Sequence, residues 1–197
     1  MFLSLRELID MAVIIFAVGY IFSGYFDIFR KRNQENYDPL LHARPGFNWQ
    51  SLRFAALVTA PAIILHELGH KFVAMYLGYS ATFHAAYFWL LIGIGLKLLG
   101  TGFIFFVPAF VSHSAAATPL QSAAIAFAGP AVNLILWLGA LALMRSPQLA
   151  RAFNLSKHHL PLIGLTAKIN MFLFFFNMIP VGFFDGAKVL DGLMNAF

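Results

Sequence analysis

Residues 52–77 read LRFAALVTAPAIILHELGHKFVAMYL, an apolar run that carries His66, Glu67 and His70 in its second half. The pattern predicts one helix from near Leu52 to about Leu77, ended by Gly78. Such a helix is long enough to cross a bilayer, where ionisable side chains are costly and tend to mark function. Residues four apart share a helix face, so His66 and His70 can offer two imidazoles to one ion. Glu67 sits beside them and can take a proton from a water on that ion. A polar packing cluster or a proton relay would use the same residue types. A divalent cation is the reading that gives all three a partner.

The rest of the chain agrees with a membrane setting. Of 197 residues, 60% are hydrophobic and 11% charged, against about 25% charged in ordinary soluble domains. The mean hydropathy is +0.78. So few charges cannot cover a water-facing surface, which excludes a soluble globular enzyme and a disordered tail. The net charge is +5. The basic residues lie between apolar stretches, which fits anchoring beside anionic lipid and not nucleic-acid binding. There is no cysteine, hence no disulfide framework and no thiolate metal site; ligands must be His, Asp or Glu.

Working outward, the expected fold is a single all-α polytopic membrane domain over 1–197 with about four to five membrane helices. Residues 8–29 form a first, retained membrane helix, flanked by Arg6 and by Arg30, Lys31 and Arg32. A polar loop with Pro39, Pro45 and Gly46 follows. After the 52–77 helix, residues 85–111 read as a short strand-containing or re-entrant insertion, with an aromatic and β-branched run at Phe103–Val107. Residues 120–144 form another helix, whose Ala124, Ala128, Gly129 and Pro130 permit close helix approach. Residues 160–197 are a helix broken near Asn177, Pro180 and Gly182; the tail after Asp185 would be about 18 Å of helix, too short to span alone.

A tetrahedral catalytic site needs a third protein ligand. Downstream of Glu67 there is no glutamate, and position 76, six residues after His70, is Tyr. Both common sources of a third ligand therefore fail. His84 and His113 border the insertion and are weaker possibilities, while His158 and His159 lie in a basic loop and read as solvated. Asp185 is the better candidate, because it follows a break in an apolar helix and such breaks build binding sites at membrane depth. It could also cap the short helix starting at Gly186, and the two roles are compatible. Asp191 reads as surface.

His66-Glu-Leu-Gly-His70, then Ala128-Gly129-Pro130-Ala-Val-Asn133, then Asn177-Met-Ile-Pro180 with Asp185-Gly186, together resemble the site-2 protease family of intramembrane zinc metalloproteases. The resemblance covers about Ala55 to Leu190, with the three motifs in the family's order. It implies that His66, His70 and Asp185 bind Zn2+, that Glu67 is the catalytic base, and that Asn177 helps to place substrate or stabilise the oxyanion. Gly129 and Asn133 would belong to the helix packed on the metal helix; Asn133 could equally be interhelical hydrogen-bonding glue, and Asn177 a cap on the broken helix. Phe184-Asp185-Gly186-Ala187 departs slightly from the family's Leu-Asp-Gly-Gly.

The expected activity is hydrolysis of peptide bonds in membrane-spanning protein substrates, by a multi-pass protein of the cell membrane with the lipid bilayer around it and no nucleic-acid partner. The competing readings are a metal-ion or proton transporter and an inactive relative that only binds membrane segments. Transporters usually show repeats, and none is visible; an inactive scaffold has no need of Glu67. Orientation stays open: the charge rule puts the basic loops at 30–53 and 145–157 in the cytosol, whereas the resemblance implies zinc nearer that face.

Overall fold

A computed structural model of the chain describes residues 2–31, 48–101, 109–114, 117–156 and 159–196, with the side chains of 25–31 excepted. The polar loop expected around Pro39 and Pro45, the Phe103–Val107 run and His158 lie outside these residues. The elements are α1 (Leu5–Lys31), α2 (Trp49–Tyr76), β1 (Ala81–Ala85), α3 (Tyr87–Leu98), β2 (Ala109–His113), α4 (Pro119–Arg145), α5 (Pro147–Ala152), α6 (Leu160–Asn177) and α7 (Asp185–Met194). They form two compact units that divide α2 after Pro61: Met1–Pro61 with Ala85–Pro108, and Ala62–His84 with Ala109–Phe197.

In the first unit, α1 opens with a capping box. Ser4 N donates to Glu7 Oε2 (2.7 Å) and Glu7 N to Ser4 Oγ (3.3 Å), which satisfies two donors that a helix start leaves without partners. Ile14, Val18 and Ile21 form its buried stripe at helical spacing. Asp10, also buried, accepts from the Tyr87 hydroxyl and from Ala85 N. Lys97 donates to Tyr20 O and Ser23 Oγ, with its ammonium 4.3 Å from the centre of the Tyr20 ring.

The second unit holds the rest of α2, the two strands and α4 to α7. Thr118 and Gln121 make a second capping box at the start of α4. Ser114 N donates to Ser80 O (3.2 Å), Ser112 Oγ lies 3.5 Å from Thr82 O, and His84 stacks on Phe110. These pairings run in opposite senses along β1 and β2, so the small sheet is antiparallel. The α6 helix buries only Ala167 and Asn170. Phe172 and Phe175 on it are more than half exposed, an arrangement suited to lipid and not to water.

Among the described residues, three helices, α2, α4 and α6, are long and apolar enough to cross a membrane, fewer than the four to five expected. The expected first helix does form, as α1, but is not among the three. The insertion starts earlier than position 85, because β1 begins at Ala81. It contains strand, as expected, with β1 and β2 paired, and between them lies the 12-residue α3, about 18 Å long and too short to cross.

Candidate metal centre

Two helices cross at the pair of histidines, and small residues let them do so. A Cβ on Gly69 would lie 2.8 Å from Val132 Cγ2 and 2.9 Å from Ala128 O. A Cβ on Gly129 would fall on the Nε2 atoms of both His66 and His70. Glycine at these two positions therefore brings the α4 backbone against the imidazole tips. Ile125, Gly129 and Asn133 are one turn apart on α4 and form the face that meets α2. His70 Nδ1 lies 2.7 Å from Ile125 O and His66 Nδ1 lies 2.6 Å from Asn133 Oδ1. The order of these pairs makes α2 and α4 antiparallel.

The third arm comes from the break after α6. Asp185 is the first residue of α7; the N-cap is Phe184, which makes no side-chain cap. The Asp185 carboxylate is spent on the histidines. Its Oδ2 lies 3.1 Å from His66 Nε2 and 3.2 Å from His70 Nε2, and the two Nε2 atoms are 3.1 Å apart. All three residues are buried, and among the described residues they form the one His/Asp/Glu group able to hold a metal ion.

These distances test whether zinc fits. Four ligands at about 2.0–2.1 Å from one ion stand roughly 3.3 Å from each other, close to the three separations observed. The protonation pattern agrees. A carbonyl only accepts, so His70 Nδ1 carries the proton toward Ile125 O, and Asn133 Oδ1 asks the same of His66. Both neutral rings then turn bare Nε2 lone pairs toward an anionic oxygen. Three acceptors facing one another at this range need a cation between them. His66, His70 and Asp185 thus form a group that could hold a zinc ion.

Glu67 is buried next to these ligands, one residue past His66 and three before His70. Asn177, expected near the site, ends α6 and donates its Nδ2 to Leu173 O (2.9 Å). His84 and His113 sit on the strands instead, His84 Nε2 2.9 Å from Ser112 Oγ and His113 Nδ1 3.1 Å from Ser114 O. His159 is exposed and engages Ser156; Asp191, also exposed, accepts from Asn195. Two participants escaped the sequence reading. One is the Ile125 carbonyl, which no residue type announces. The other is Asn170, fully buried, whose signal was an amide in the middle of an apolar helix.

No family model matches the chain, and no solved structure matches it. Two relatives do. A protein of Methanocaldococcus jannaschii named "Putative zinc metalloprotease MJ0611" is 30% identical over 191 residues, covering 95% of this chain and 84% of that protein. A protein of Synechocystis named "Putative zinc metalloprotease sll0528" is 32% identical over 149 residues, covering 76% of this chain and 33% of the relative. The chain thus spans about a third of the cyanobacterial protein and most of the archaeal one. An identity of 30% sustained over that archaeal length is a family relation, and the chain belongs to this family of zinc metalloproteases.

Proposed function

We propose that the protein is an intramembrane metalloprotease of the site-2 protease kind, hydrolysing peptide bonds of membrane-spanning protein substrates within the lipid bilayer. One observation carries the reading. A His-His-Asp group that could hold zinc closes at 3.1–3.2 Å where α2 and α4, both long and apolar enough to cross a membrane, meet.

Zinc held by His66, His70 and Asp185 supplies Lewis acidity and a lowered pKa for water. Glu67 takes the proton released as water attacks the peptide carbonyl, then delivers it from the same carboxyl to the departing amine. Asn177 orients the substrate: one N–H of its amide holds Leu173 O, and an amide has a second N–H and an oxygen to offer. A substrate helix must unwind locally, because its carbonyls are tied up in helical hydrogen bonds. Water must reach the site along a polar path, because the bilayer core supplies none. The cell membrane is the proposed location.

The test is cleavage of a single-spanning substrate by purified protein in proteoliposomes with zinc. Glu67→Gln should keep its zinc and lose activity by at least 10²–10⁴-fold. Full activity in that variant would remove Glu67 from the mechanism. Zinc flux without cleavage would replace the protease by a transporter.

A further inference from the structure

His66 reaches its tautomer by a longer route than His70. The proton on His70 Nδ1 points at a backbone carbonyl, which cannot be turned round. The proton on His66 Nδ1 points at a side-chain amide, which can. If the Asn133 amide rotated by half a turn, its NH2 would face His66 Nδ1. The ring would then have to accept there and carry its proton on Nε2, the atom that must be bare to bind a metal.

Two acceptors oppose that rotation. Asn133 Nδ2 lies 3.1 Å from Ala62 O and 2.9 Å from Asn170 Oδ1. Asn170 is itself an amide and would transmit a flip if it were free to turn. It is not, because its Nδ2 donates to Thr166 O at 2.9 Å, a backbone carbonyl one turn back on α6. Each step in the series thus has a fixed direction. Thr166 O accepts from Asn170, Asn170 accepts from Asn133, and Asn133 accepts from His66. Both asparagines are wholly buried, so no water competes for these positions and an unpaired amide there is costly.

We propose that Asn170 is a positioning residue for the metal ligand His66, acting through Asn133, so that α6 sets which nitrogen of a ring on α2 meets zinc. The inference rests on zinc at this site and not on the substrate lying in a membrane. Partners one step beyond a metal ligand are worth about 10–100-fold in metal affinity.

The experiment measures zinc affinity by competition with a chromophoric chelator on the purified full-length protein, with no cleavage readout. Asn133→Leu should weaken zinc about 10–100-fold and Asn170→Leu several-fold, both with helical content unchanged. Because Asn170 acts through Asn133, the double variant should be no weaker than Asn133→Leu alone. Asn170→Asp keeps the acceptor that Asn133 Nδ2 needs and should restore much of the affinity. Wild-type affinity in a folded Asn170→Leu, or independent multiplying losses in the double variant, would overturn the proposal. Should the leucine variants fail to fold, 15N-histidine spectra of the wild-type protein decide: Nδ1–H on His66 is expected, and a proton on Nε2 refutes the series.

Discussion

A methyl group at position 129 would have to share space with the two imidazole tips. Gly129→Ala therefore forces either α4 or both rings to move, and overpacking of this kind costs about 1–3 kcal/mol. The expected outcome is a lower melting temperature together with a weaker zinc affinity, seen by calorimetry with and without added zinc. A mutation that only thinned the packing would lower the first and spare the second. The same residue shows what a sequence can carry. The small-residue stretch 124–130 announced a close approach, yet not that the approach is to imidazole nitrogens, because that requires knowing which turn of α2 lies opposite. The Glu67–His66–His70 constellation was legible because helical spacing alone brings its members together. Asn170 was not, since an isolated amide gains meaning only when the buried group it serves is known.

Among elements, the helix α4 backs both imidazoles, and its start is secured locally. Thr118 accepts from Gln121 N at 3.3 Å, while Gln121 Oε1 accepts from Thr118 N at 2.9 Å and from the Tyr79 hydroxyl at 2.6 Å. Thr118→Ala removes one half of this box and should cost about 1 kcal/mol in unfolding free energy. Zinc stoichiometry should be unchanged, because Ile125, Gly129 and Asn133, which meet the histidines, lie about two or more turns further on; denaturation and metal analysis together check this. The broken helix was readable from Pro180 and its glycines, but α3 and the strands were less so. Short apolar runs with scattered glycine satisfy helix and strand patterns equally, and tertiary pairing decides between them. Asp185 was read as ligand or helix cap. Phe184 occupies the cap position, and the Asp185 carboxylate lies against the two histidines.

At the scale of the molecule, the antiparallel crossing of α2 and α4 brings the chain back to the end it left. Tyr76 and Leu120 should therefore face one side of a membrane and Gln148 the other. Natural cysteine is absent, so single thiols placed at these exposed positions can be labelled cleanly from either face of oriented vesicles. Labelling of all three from one face would break the proposed crossing. The site lies about ten residues from both Tyr76 and Pro119, or roughly 15 Å along each helix, so a water path is shorter from that end. Zinc affinity should also depend on pH in a fixed sense. Binding needs both imidazoles neutral, so affinity falls as pH drops. A carboxylate ordinarily titrates at about 3.9, well below the neutral range. A chelator titration between pH 5.5 and 8 should thus show affinity falling toward the acid end, and a flat profile would speak against imidazole ligands.

The two halves of the donor set differ in how they are built. The imidazoles ride one rigid helix and are each anchored from behind, so they stand ready as a receptor before any ion arrives. The carboxylate rides a separate ten-residue helix reached through an irregular stretch, so its place depends on the packing of a second element. Asp185→Ala should accordingly still capture zinc, loosely and with fast release, whereas loss of either imidazole should abolish capture. Stripping the ion from the native protein should speed hydrogen exchange chiefly in α7, which would then have little but its packing to keep it in place.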